Sequence, residues 1–173
     1  MIVILLIVSI VSACDSDSPG TFAYSDTKEK QGIEVTLDRV EEFQGQKYEL
    51  TTFYYEISNH TDEDVIIETD RQENNDASNS TYLEDGEGNI YPMSGYEGPK
   101  TVDDTEDGEV QTNPENPDYI KIPAGTNERK AGIHFNEIYL DSFKTQLAIT
   151  LEDGDVLPFI FSGNLDDDYL VDD

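Results

Sequence analysis

The sequence predicts an all-β fold, an antiparallel sandwich. Three observations carry this. Eight or nine short apolar runs follow one another between Ile33 and Phe161, several alternating with the period of a half-buried strand. Gly, Pro, Asn and Asp punctuate the gaps between them. Helical periodicity never extends beyond a turn or two, and "FNEIYLDSF" (135–143) is its best candidate.

A different kind of segment comes first. Residues 1–13 hold no charged side chain and are rich in Ile, Val and Leu. A helix needs about 20 apolar residues to span a bilayer core, so this run reads as the apolar part of a signal peptide. It ends in Val11, Ser12, Ala13 and Cys14, the chain's one cysteine. Those four residues resemble the lipobox of bacterial lipoproteins. The resemblance implies cleavage before Cys14, lipid such as palmitate on its thiol, and acylation of the new amino terminus. Two or more acyl chains anchor a protein stably where one does not. Met1 leads straight into Ile2 without a basic residue, so either translation starts upstream or the signal is atypical. A lone cysteine excludes an internal disulfide framework.

Residues 14–31, "CDSDSPGTFAYSDTKEKQ", are polar and short of periodic apolar residues, which predicts a lipidated, flexible tether. The domain is expected over 32–163. In "GIEVTLDRV", Ile33, Val35 and Leu37 alternate with polar residues as a first strand. "YELTTFYYEIS" (48–58) puts Phe53, Tyr55 and Ile57 on one face, while Tyr48 and Leu50 have the other parity. That mismatch predicts a bulge near Thr51–Thr52, or burial on both faces. A turn, "NHTDED", leads to "VIIE" (65–68), and 70–80 is a polar loop. "TYLEDGEGNIYPM" reads as a hairpin closed by Asp85-Gly86-Glu87-Gly88. Ser94 to Pro117 is expected to be an irregular acidic insert. "YIKIPAG", "KAGIHF", "TQLAITL" and "VLPFIF" supply four more strands, with Pro158 at an edge or bulge. Residues 164–173 form an acidic tail.

The order of these pieces resembles the immunoglobulin-like, telokin-like domains of unknown function found behind lipoboxes in bacterial lipoproteins. A long second strand ending in Asn59, the "YLEDGEGNIYP" hairpin, and Pro123, Gly125, Gly132 and Phe135 within "IPAGTNERKAGIHF" carry the likeness. It implies an immunoglobulin-like sandwich and no catalytic site. The acidic insert and the overall charge depart from that pattern.

Charge narrows the partners. The chain carries 39 acidic and 10 basic residues, a formal net charge of −29. Nucleic-acid phosphates require Lys and Arg, so that class is excluded. Anionic headgroups repel such a domain as well, leaving lipid on Cys14 as the expected membrane contact. A dense acidic surface is soluble, self-repelling and best tolerated in salt, which suggests saline or alkaline surroundings.

Candidate chemistry is sparse. "DDTEDGE" offers Asp103, Asp104, Glu106 and Asp107 as a weak calcium site, although a complete loop would place Glu where Pro114 stands. "DGEGN" (85–89) reads as a turn. His60 and His134 cannot form a zinc site without carboxylates brought from elsewhere, and alternation turns His134 away from Ile133 and Phe135. There is no Gly-x-Ser-x-Gly elbow, and Glu56 in "FYYEIS" is an outward strand position rather than a catalytic acid. Tyr48, Tyr54, Tyr55, Tyr82, Tyr91 and Tyr96 could line a carbohydrate or peptide surface, with sheet packing as the plainer role.

The expectation is therefore a non-enzymatic, lipid-anchored binding module on the extracytoplasmic face of the cell membrane, without cofactor. Its partner would be a cationic protein or other envelope component. Two alternatives are a structural acidic envelope protein without a specific ligand, and a calcium-binding or metal-dependent hydrolytic domain.

Overall fold

The computed structural model describes residues 20–44, 49–68, 79–97, 119–136 and 140–165. They form β1 (Thr21–Lys30), β2 (Ile33–Gln44), β3 (Glu49–Asn59), β4 (Val65–Glu68), β5 (Tyr82–Asp85), β6 (Ile90–Pro92), β7 (Gly95–Glu97), β8 (Tyr119–Ile122), β9 (Arg129–Phe135), β10 (Ser142–Thr150) and β11 (Val156–Asn164). One sheet runs β1-β2-β3-β9-β7. The other is built on β10, which pairs along its length with β11 and on its other side with β5 and then β4; β6 and β8 extend it. All pairings are antiparallel. This is the all-β sandwich that the alternation predicts, consistent with an immunoglobulin-like fold.

The alternating residues decide which faces meet. Ile33, Val35 and Leu37 of β2, Phe53, Tyr55 and Ile57 of β3, and Ile133 and Phe135 of β9 turn inward and are essentially sealed from solvent. Leu83, Leu147, Ile149, Phe159 and Phe161 meet them from the second sheet. Phe53 packs edge-on against Phe135 and Phe143, with centroids 5.7 and 5.0 Å apart. Full burial of each such side chain contributes about 1.5–3 kcal/mol. Tyr55 crosses between the sheets, and its hydroxyl shares a 3.0 Å hydrogen bond with Thr145 Oγ1, so a buried polar atom keeps a partner.

Three local readings need correction, and a fourth, which left two alternatives open, is decided. Residues 21–30, expected in the tether, form β1. Gln31 and Gly32 both have positive φ (49° and 79°), which is the two-residue hairpin turn that twists correctly for antiparallel strands. Only Phe22 of β1 is buried, so the strand leaves no period-2 apolar signal. β3 keeps unbroken register through Thr51 and Thr52, and a bulge not expected from the sequence lies in β2: Leu37 faces Tyr55 and Arg39 faces Tyr54, leaving Asp38 as the extra residue. Thr51, Thr52 and Phe53 are consecutively buried, so the two-face alternative holds within β3. Gly95–Glu97, expected to open the irregular insert, is β7. At 135–143, Phe135 closes β9 and Ser142–Phe143 open β10, so the described ends of that stretch are strand rather than helix.

The Asp85–Gly88 hairpin is as expected, joining β5 to β6. Pro158 sits on β11, which pairs only with β10 among the described residues. Side chains of β1 cover that margin: the Tyr24 hydroxyl donates to the Asn164 carbonyl at 2.5 Å, and the Lys30 ammonium donates to the Pro158 carbonyl. Lys28 and Lys30 also lie 5.1 and 5.5 Å from the Phe161 and Phe159 ring centres. Lysines on an edge strand discourage further strand pairing there. No helix among the described residues is long and apolar enough to cross a membrane.

Candidate functional site

The outer face of the five-stranded sheet carries a depression of about 280 Å³, lined by Asp38, Arg39, Tyr54, Glu56, Glu97, Lys130 and Gly132 among others. Register builds it. Arg39 pairs with Tyr54, Tyr54 with Gly132, and Gly132 with Glu97, so one row crosses four adjacent strands. The neighbouring row runs Thr36, Glu56 and Lys130, and the row on the other side runs Glu41, Thr52, His134 and Gly95.

Two sequence devices make the row concave. Strict alternation from Ile33 would carry Arg39 into the core. The Asp38 bulge shifts the phase, so Val40 enters the core and Arg39 emerges beside Tyr54. At Gly132 the missing side chain lets Glu97 and the Tyr54 ring close down over the backbone. A Cβ there would stand 2.7 Å from Glu97 Cγ and 3.1 Å from Tyr54 Cε1, closer than packed atoms allow.

Polar groups surround this point. The Arg39 guanidinium carbon lies 3.7 Å from the Tyr54 ring centre, in cation–π contact. Its Nε donates to Glu41 at 2.6 Å and its Nη1 to Asp38 at 2.9 Å. Burial, and then hydrogen bonding to Glu97 and the nearby Glu41 charge, hold the Tyr54 proton on well above the usual tyrosine range. Lys130 bridges to Glu56 at 2.7 Å and more loosely to Glu128 at 3.8 Å. Its ammonium is held charged chiefly by the Glu56 hydrogen bond. Such a face can hold a positively charged or aromatic group. It brings together no nucleophile with a base.

His134 points outward from β9, as expected, and is half-buried between β3 and β7. Thr52 Oγ1 is 2.8 Å from its Nδ1, and Ser94 donates through both backbone N and Oγ to its carbonyl. Burial pushes the imidazole down from its ordinary value, with Glu97 pulling the other way. His60 is exposed in the turn after Asn59.

A second depression lies between β8, the β3–β4 turn and the β10–β11 turn, with Asp62, Asp64, Tyr119, Lys121 and Glu152 in its walls. Asp64 is already engaged there, bridged to Lys121 at 2.5 Å and accepting from Ala124 N at 2.9 Å.

The tyrosines divide. Tyr55 and Tyr82 are core residues, Tyr91 and Tyr96 are partly buried against the core, and Tyr54 faces the depression. Glu56 takes its outward position, bound to Lys130. Asp85 spends both oxygens on its own hairpin, accepting from Glu87 N, Asn89 N, the Asn89 amide and the Tyr91 hydroxyl at 2.7–2.9 Å. Among the described residues no group of three or more His, Cys, Asp or Glu could hold a metal ion. Val11, Ser12, Ala13, Cys14, Tyr48, Asp103, Asp104, Glu106 and Asp107 lie outside the described residues.

Sequence reasoning did not single out Arg39, Glu97 or Lys130. Two signals were present: the parity break between Leu37 and Val40, and a glycine inside a strand, which often marks a close approach of neighbouring groups.

No family model matches the chain, and no curated protein matches it. Solved structures with a similar trace include a Northeast Structural Genomics Consortium target, 15% identical, covering 80% of this chain and 88% of that one at a TM-score of 0.40. Another is a conserved hypothetical protein from Bacillus anthracis, 11% identical, covering 81% and 96% at a TM-score of 0.37.

Proposed function

We propose that this protein is a lipid-anchored, extracytoplasmic binding module that presents the outer face of its five-stranded sheet to a partner. The depression on that face carries the reading. A bulge and a glycine shape it, and it exposes an aromatic ring and carboxylates on rigid strands. Rigid elements hold a binding constellation better than loops do. The lipobox-like Val11–Cys14 supports the anchor, and the acidity of the chain supports a partner of opposite charge.

The test of tethering is metabolic labelling with palmitate in a bacterial host, comparing the full chain with Cys14→Ser. Label and membrane association that depend on Cys14 are expected. Equal membrane association and no label in either form would overturn the anchored reading.

A further inference from the structure

We propose that the end of the sandwich where the chain enters β1 is a membrane-facing surface, resting on a phospholipid interface through Phe43 and Ile90. This rests on the lipid-anchored reading and names the surface that the anchor brings to the bilayer.

The length of chain ahead of β1 sets the geometry. Thr21 opens β1 opposite Glu41, and Glu42 N donates to the Gly20 carbonyl at 2.9 Å, so the entry point is fixed on β2. Seven Cα steps separate Cys14 from Thr21, and whatever path they take they span at most about 25 Å. β1 runs ten residues from that entry point to the Gln31–Gly32 turn, about 30 Å at the rise of a strand. An inverted domain would hold Thr21 further from the bilayer than the chain can reach.

Contacts between the sheets show what shares the entry end. Glu42 accepts from Leu140 N at 3.0 Å, and the Tyr24 ring meets Phe143 edge-on at 5.4 Å. Asn164, which holds the Tyr24 hydroxyl, pairs with Ser142, and Phe143 pairs with Asp85. The end of β2 at Phe43, the start of β10, the end of β11 and the hairpin leading to Ile90 therefore lie together. At the opposite end, His60 N donates to the Gly32 carbonyl and Gly125 N to the Thr61 carbonyl, and Lys30 bonds to Pro158 beside the β10–β11 turn.

Exposed apolar groups divide unequally between these ends. Among the described residues three large hydrophobics are exposed: Phe43 (49%) and Ile90 (55%) at the entry end, and Ile160 midway along β11. The turns of the opposite end contribute none. Scattered apolar side chains need no partner on a domain surrounded by water. Two of them at the end that an anchor keeps beside the bilayer have one, because aromatic and aliphatic groups favour the headgroup–acyl boundary. Carboxylates at this end are in part already engaged: Glu42 by Leu140 N, Glu84 by Lys144, and Asp85 by its own hairpin. Contact there stands the strands upright and leaves the outer face of the five-stranded sheet open to solution.

The experiment uses two features of the chain, its lack of tryptophan and its single cysteine. The full chain carries either Gln44→Trp at the entry end or Ala124→Trp at the opposite end, both exposed positions. Each is coupled through the Cys14 thiol to maleimide-headgroup lipid in phosphatidylcholine vesicles that also hold dansyl-headgroup lipid. Energy transfer to dansyl should be at least about fivefold greater from Gln44→Trp, since the two positions differ in height by about 30 Å. Adding Phe43→Ser and Ile90→Ser to each should cut that ratio by at least about half. Urea unfolding verifies that every variant is folded. Equal transfer from the two positions, or greater transfer from Ala124→Trp, would overturn the orientation. An unchanged ratio in the serine variants would overturn the apolar contact. The coupling is chemical, so a failure of palmitate labelling in cells and a failure of this orientation are read separately.

Discussion

Replacing Asn59 with alanine should be among the most damaging single changes in the domain. Asn59 ends β3 fully buried. One hydrogen of its amide goes to the Glu63 carbonyl at 2.8 Å, and the other is shared between the Ile122 and Pro123 carbonyls at 3.2 Å each. Its Oδ1 accepts from Thr61 N at 3.1 Å and Thr61 Oγ1 at 2.7 Å. The side chain therefore ties the β3–β4 turn to the end of β8 in the opposite sheet. Thr61 is partly exposed and can turn to water, so the main loss is the two amide hydrogens. At about 1–2 kcal/mol for each buried bond left unmade, Asn59→Ala should cost about 2–4 kcal/mol. That is a large fraction of the roughly 5–15 kcal/mol of a typical domain. For a chain of this length it lowers the melting temperature by about 5–15 °C. Asn59→Asp keeps the acceptor for Thr61 but aims a second oxygen at three carbonyls, so at neutral pH it should cost at least as much. The assay is urea unfolding of the full chain, comparing midpoints at an unchanged slope. A loss below about 1 kcal/mol for the alanine variant, or an aspartate variant as stable as the parent, would refute this account of the latch.

Three further outcomes are expected. Asp85 is held at about 2, first by the Asn89 side chain and then by the other donors of its turn. Because its folded value lies below the unfolded one, its contribution is complete above about pH 4 and disappears as pH falls through about 2. Asp85→Asn should flatten the acid limb of the stability curve in that window, and an unchanged limb would count against the cage. Burial lowers the folded pKa of His134 below its ordinary value, so the folded state takes up its proton later than the unfolded state. Stability should therefore decline as pH drops from about 7 toward 5. His134→Gln should remove that decline in urea unfolding followed across the range, and a flat difference curve would exclude the effect. The net charge of −29 predicts a melting temperature that climbs from low salt to 1 M NaCl, as the screening length shrinks to about 3 Å; a flat or falling response would show that self-repulsion is not limiting.

Legibility tracked burial. β2, β9 and the inward half of β3 were visible because one face of each is sealed, and the pattern of Ile33, Val35, Leu37, Phe53, Tyr55 and Ile57 records that face directly. The β5–β6 hairpin was visible through its own local chemistry, with Asp85 and Gly88 closing the turn. β1 was not, because it buries only Phe22 and is held by hydrogen bonds to β2, which any residue can make. β7 was hidden for a related reason: its three residues include no fully buried side chain, and the strand is set by pairing with β9. The depression was the least legible part. Arg39, Tyr54, Glu97 and Gly132 are scattered over more than ninety residues of chain, and nothing local relates them.

Taken alone, the sequence determined the class of fold and the sign of the surface. Alternation selects which residues avoid water, and the excess of carboxylates needs no partner residue to be counted. Only the tertiary structure decided which outward residues share a row. Cross-strand neighbours follow from register, and register shifts by one residue at Asp38 through a competition between core packing and ladder hydrogen bonds that no single strand contains.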